Sequence, residues 1–157
     1  MGTNYKYNFE TNWKFEANIE QVWNLISGFK YDEWWPGVIA EPIGIGSANG
    51  IGDKYRYEFR TKLPYRLSFE AEVIVKEAPC QMEIRSKGEL EGRGKWTLTQ
   101  SGSATHVRYI WQVNTNKAWM NFLAPLLKPA FVWNHDLVMA EGEKGMAKAL
   151  RARSIVD

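Results

Sequence analysis

The side chains in this sequence best suited to moving a proton are Tyr109 and the run Asn134, His135 and Asp136. An imidazole needs only a modest pKa displacement to act as acid or base near neutrality, provided its proton partner lies at about 2.6 to 3.2 Å. Successive residues on a helix point about 100° apart, so the three consecutive groups cannot all face one cavity. Asn134 falls on the line of Leu127, Ala130, Leu137 and Glu141, and His135 on that of Phe131, Val138 and Gly142. Either Asn134 or His135 is the buried polar group, while Asp136 faces solvent or caps a neighbour. Tyr109, Asn134 and His135 are the candidate catalytic residues. A hydrogen-bonded structural histidine is the plainer role for His135.

Other chemistries find no support. Cys80 follows Pro79 with no base nearby in sequence, and there is no Gly-x-Ser-x-Gly elbow. One cysteine and two histidines make an internal disulfide impossible and a zinc site improbable. Gly44-Ile45-Gly46 and Gly50-Ile51-Gly52 open no helix, so they suit turns near a pocket mouth better than a nucleotide loop. No metal and no cofactor is expected.

What the sequence has in excess is aromatic surface, 14% of residues, with eight Trp, seven Tyr and seven Phe. These rings must fill a core or line a space for an apolar or planar guest. Their positions follow from strand parity. From Tyr5 to Phe15 apolar and polar residues alternate, predicting a long strand with one apolar face. From Val38 to Asn114 the chain predicts successive antiparallel strands, broken at Ser47–Gly52, Thr61–Pro64, Glu77–Pro79, Lys87–Gly88 and Ser101–Ser103. Parity puts Tyr55, Tyr57, Phe69, Trp96, Tyr109 and Trp111 on the inward face, where they line a pocket or close into plain core. Gly92 and Gly94 share that face, leaving either cavity space or a sheet bend. The outward face carries mixed charges such as Arg56, Glu58, Glu70, Arg85 and Arg108.

Helices must supply the rest. Asn18 as cap, Gln21 three residues on, and Ile19, Val22, Trp23 and Ile26 at helical spacing predict a short helix ended by Gly28. Trp34-Trp35-Pro36-Gly37 predicts a second short turn, with Trp34 and Trp35 gating the pocket or sealing the core. Beyond Asn114, Trp119, Phe122, Leu123, Leu126 and Leu127 form one helical run. Pro129 forces a kink or restart, and Phe131, Trp133, Leu137, Val138, Met146 and Leu150 carry the second run. Gly142 and Gly145 allow close approach to the sheet. Phe122, Leu126, Phe131, Asn134 and Val138 are the helical candidates for ligand contact.

The length of 157 residues suits one domain, and without repeat or linker no boundary falls inside 1–157. A net charge of +2 is far from a nucleic-acid footprint, so no nucleic-acid partner is expected. The opening segment is too polar for a signal peptide and no stretch could span a membrane. A soluble, cytoplasmic protein without integral membrane association is expected.

The order strand, two short helices, about six strands, long helix resembles the helix-grip fold of the START/Bet v 1-like superfamily, SRPBCC. The stretches Gly88–Leu98, Lys117–Met120 and Ala124–Pro129, followed by Trp133-Asn134-His135-Asp136, resemble its bacterial polyketide cyclase/dehydrase-like branch. The resemblance implies an α+β fold, a curved antiparallel sheet of about seven strands wrapped around a long C-terminal helix, with an apolar cavity between them. It implies binding of a hydrophobic small molecule such as a lipid, polyketide or aromatic metabolite. A cyclase or dehydratase using Tyr, Asn and His groups is the alternative, and a protein-interaction module the third. The iron ligands of Rieske-type members are absent from this chain.

Overall fold

The computed structural model describes residues 6–60 and 66–156, apart from the side chains of Trp119 and residues 154–156. Tyr5 and the turn expected at Thr61–Pro64 lie outside the described residues. The chain runs β1 (Tyr7–Phe15), α1 (Ile19–Ser27), a short 3-10 turn (Tyr31–Glu33), and β2 (Val38–Gly44). Five more strands follow, β3 (Lys54–Phe59), β4 (Leu67–Glu77), β5 (Gln81–Gly88), β6 (Leu90–Ser101) and β7 (Ala104–Thr115). The chain ends in α2 (Ala118–Phe122) and α3 (Ala124–Val156).

Alternation in β1 becomes pairing. Tyr7, Trp13 and Phe15 are buried, and Asn8, Glu10, Asn12 and Lys14 between them face outward. The neighbour of β1 is the last strand, Tyr7 opposite Val113 and Phe15 opposite Thr105. All seven strands form one antiparallel sheet in the order β1-β7-β6-β5-β4-β3-β2. The tight connections from β4 through β7 give the hairpins of that meander. Register shifts at Pro42/Gly44 and Val73/Val75 mark bulges, which bend and twist a strand locally. The second also interrupts parity, and Val75 is only half-buried although Leu67, Phe69, Ala71 and Val73 are buried. Charges on the outward face pair across strands, as in Arg93 with Glu83 at 3.3 Å and Arg66 with Glu58 at 3.2 Å. Such exposed pairs contribute about 0.2–1 kcal/mol each and help fix register.

The Asn18 side chain accepts from the Gln21 backbone N–H at 2.9 Å, satisfying one of the orphan donors of α1. Val22, Trp23, Leu25 and Ile26 are then buried along one face. The C-terminal break comes earlier than Pro129 predicts. It falls at Leu123, whose carbonyl accepts from Leu126 and Leu127 at 2.9 Å, and Pro129 sits inside α3. The ring deprives the Pro125 carbonyl of a helical donor, but Pro125 and Pro129 are both exposed, so water can supply the bond. Further along, Phe131, Asn134, Met139, Gly142, Met146 and Leu150 are buried, giving α3 one face toward the sheet and the Trp34–Trp35 turn.

Gly142 and Gly145 make their close approach to that turn. A Cβ on Gly142 would come within 2.5 Å of the Trp35 ring, and one on Gly145 within 1.8 Å of the Trp34 carbonyl oxygen. The helix can pass over the loop only because both side chains are hydrogen atoms.

Candidate functional site: an aromatic cavity between sheet and helix

The inward face of the sheet and α3 do not close completely. Between them lies a partly open cavity of about 80 Å³. Its floor is built from the buried parity of the strands, with Tyr57 from β3, Phe69 from β4, Trp96 from β6 and Tyr109 and Trp111 from β7. Trp35 closes one side from the loop after α1, and Phe131, Asn134, His135 and Val138 form the helical side. These ten residues are the sequence candidates that the tertiary structure brings together.

The rings are ordered by one another. Trp96 stacks on Tyr109 with centroids 4.0 Å apart, and Tyr57 on Phe69 at 5.0 Å. Trp35 meets Trp96 and Trp13 edge to face, at 6.2 and 5.7 Å. Offset and edge contacts of this kind add about 0.5–1.5 kcal/mol beyond the area they bury. The walls are therefore stiff side chains held by packing.

Other sequence candidates sit elsewhere. Trp34 is buried and stacked on Trp35, and does not reach the cavity. Tyr55 lies against Phe29 at 3.8 Å. At Gly94 the space a side chain would take is already filled, since a Cβ would lie 2.6 Å from the Tyr109 hydroxyl and 2.9 Å from the Trp111 ring. At Gly92 the Gln112 carbonyl oxygen would be 1.9 Å from such a Cβ. Both glycines thus serve close packing against β7 rather than adding open volume. Phe122 and Leu126 are 84% and 76% exposed, on the outer side of the helical segment.

Several wall residues had no place among the sequence candidates. Tyr7 and Phe9 come from β1, Phe59 from β3, Tyr31 from the 3-10 turn and Met139 from α3. The signal for Tyr7 and Phe59 was available, because each shares parity with buried neighbours. What linear sequence does not show is that β1 lies beside β7, which puts its rings under the same stretch of helix.

The cavity holds no Asp, Glu, Lys or Arg among the described residues that line it. Its hydroxyls stay protonated, since burial raises the pKa of Tyr57 and Tyr109 well above ordinary tyrosine. Tyr31 is also raised by burial, donates to the Ile26 carbonyl at 2.7 Å, and shares a hydrogen bond with Tyr57.

Asn134 and His135 both reach this cavity, and Asp136 turns outward with its side chain 74% exposed. The His135 ring lies flat on Phe9, centroids 3.8 Å apart and planes 11° from parallel. Burial pulls the His135 pKa down to about 4, only partly opposed by the Asp136 charge. The Asp136 carboxylate is 3.8 Å from Nδ1, beyond hydrogen-bond reach, so it acts as a weak charge and not as an acceptor. His135 is neutral at physiological pH. The Asn134 Oδ1 and both His135 ring nitrogens are buried without a hydrogen-bond partner.

Among the described residues no group of three or more His, Cys, Asp or Glu could hold a metal ion, and no helix is long and apolar enough to cross a membrane.

A seven-stranded antiparallel sheet wrapped on a long C-terminal helix, with a cavity between, is the helix-grip architecture, and solved structures share it over nearly the whole chain. The Zhui aromatase/cyclase from Streptomyces sp. R1128 superposes with a TM-score of 0.77 at 12% identity, covering 94% of this chain and 95% of that one. The protein TTHA0849 from Thermus thermophilus gives 0.72 at 15% identity, covering 91% and 99%. A START superfamily protein from Mycobacterium smegmatis gives 0.70 at 11% identity, covering 92% and 97%. No protein-family model and no curated protein matches the sequence. The chain thus shares its helix-grip fold with aromatase/cyclase and START superfamily structures; at such identities the likeness establishes fold alone.

Proposed function

We propose that this protein binds a hydrophobic small molecule, such as a lipid, polyketide or aromatic metabolite, in the cavity between sheet and α3. The observation that carries this reading is an interior walled by stacked rings from five strands, one loop and the long helix, yet left open by about 80 Å³. A sheet and helix evolved only for stability would gain by closing that gap, because every unfilled volume forfeits dispersion contacts. Native mass spectrometry of the purified protein, with organic extraction, tests the proposal. A co-purifying apolar compound, or a thermal shift with added aromatic ligands, supports it. No bound compound and no shift across a broad apolar panel would reject it.

A second reading is a cyclase or dehydratase-type enzyme. Its support is the neutral His135 imidazole next to the Asn134 amide on the cavity wall, a base and a polar group that can orient a reactive carbonyl chain. Tyr109 adds a protonated hydroxyl. Turnover of a polyketide-type substrate that survives His135→Ala and Asn134→Ala unchanged would remove the helix groups from such a mechanism.

A further inference from the structure

Two residues of the cavity wall carry buried polar atoms with no hydrogen-bond partner, Asn134 Oδ1 and the two ring nitrogens of His135, in a lining whose other polar side chains are tyrosine hydroxyls and Thr115. Asn134 is only 7% exposed, so water does not freely solvate it. Leaving such groups unpaired costs about 1–3 kcal/mol each, which is why buried polar atoms are nearly always satisfied. Phe9 covers one face of the imidazole and Nδ1 lies toward the outward-facing Asp136 carboxylate, so Nε2 is the ring nitrogen left to meet a guest.

The chemistry of the missing partner follows. An amide oxygen accepts only. A neutral imidazole presents one donor and one acceptor. A hydroxyl both donates and accepts, so it satisfies Asn134 Oδ1 and one His135 nitrogen together. A carboxylate offers no proton to Asn134 and brings a charge into a cavity without Lys or Arg; an ammonium finds no Asp or Glu. A pure hydrocarbon leaves all three atoms unpaired. Resting on the binding function proposed above, we infer that the cavity selects an uncharged ring compound bearing a hydroxyl or N–H group, anchored by Asn134 Oδ1 and the His135 ring edge.

Size narrows the guest further. An engineered cavity of about 150 Å³ takes benzene. At about 80 Å³ this space is roughly half of that, so a single ring enters with some adjustment of the walls. Met139, a flexible thioether on the helical side, is the wall residue best able to yield.

The test is calorimetric titration of the whole protein with three isosteric probes: p-cresol, p-xylene and p-toluate. A fused-ring series, 2-naphthol, 2-methylnaphthalene and 2-naphthoate, runs in parallel. The phenol is expected to bind at least fivefold more tightly than its hydrocarbon and its carboxylate in whichever series fits. Asn134→Leu, close in volume, is expected to abolish that preference while keeping hydrocarbon binding. His135→Phe serves as the second variant, with circular dichroism reporting whether each folds. Equal binding of phenol and hydrocarbon, or tighter binding of the carboxylate, overturns the inference and leaves the apolar-binding function standing. Failure of all six probes overturns the inference, while the binding function is decided by the native mass spectrometry and the broad apolar panel.

Discussion

Trp35 and Gly142 occupy one volume: a Cβ on Gly142 would lie 2.5 Å from the Trp35 indole, and that indole is pinned where it is by its own Nε1–H, which donates to the Val138 carbonyl at 2.8 Å. The relationship ties the loop after α1 to the middle of α3 and fixes a cavity wall. Trp35 is thus fastened to the helix and cannot swing as a free gate without giving up that hydrogen bond.

Gly142→Ala sets two effects against each other. Alanine gains about 1 kcal/mol of helix propensity over glycine, whereas overpacking against a pinned ring costs about 1–3 kcal/mol. The clash wins because Trp35 is also boxed in by Trp13, Trp34 and Trp96. A net loss of about 1 kcal/mol is expected in denaturant unfolding. Gly145→Ala should lose more, since its contact is the Trp34 backbone carbonyl at 1.8 Å, which no rotamer change relieves. The reverse order, or stabilisation by both, contradicts this packing.

Gly94→Ala drives a methyl group into the Tyr109 hydroxyl and the Trp111 ring. Tyr109 must leave its stack on Trp96 or push into the cavity. A loss of about 1–3 kcal/mol and a changed near-ultraviolet circular dichroism spectrum are expected, with weaker ligand binding. Unaltered aromatic ellipticity would show that the strand absorbs the methyl without moving the rings.

His135 makes stability depend on pH in a defined direction. Its pKa is about 4 in the folded protein against about 6.5 in the unfolded chain. Between those values the unfolded state binds more protons, so stability is present above about pH 6.5 and is lost as the pH falls toward 4. The loss is on the order of 3 kcal/mol, since each pKa unit corresponds to about 1.36 kcal/mol. Comparing unfolding of the wild type and His135→Phe from pH 7.5 to 4 isolates this term. The wild type should lose about 3 kcal/mol relative to the variant over that range; parallel curves would mean that the imidazole is not buried neutral.

Phe122→Ser and Leu126→Gln probe residues that sequence alone places at the ligand. Both side chains point into solvent, so stability should change by no more than about 0.5 kcal/mol and ligand affinity not at all. A clear loss of affinity in either variant would place α2 or the amino-terminal part of α3 over the cavity when ligand is bound.

The sequence by itself determined the elements and their faces. Period-two alternation fixes which side of each strand is apolar, and Asn18 with Gln21 and Gly28 brackets α1, because these signals are local and each is set by backbone geometry and capping. It also separated Asp136 from Asn134 and His135 by helical angle. Tertiary structure alone decided what those faces enclose. Whether Gly94 leaves space depends on where the Tyr109 and Trp111 rings of the neighbouring strand turn, and whether both Asn134 and His135 reach the cavity depends on how α3 lies across the sheet. The closing of β1 against β7, which brings Phe9 under His135, joins residues that lie far apart along the chain, from Tyr7 with Val113 to Phe15 with Thr105. Periodicity carries no information about such a contact, since it reports the direction of a side chain and not the partner that meets it.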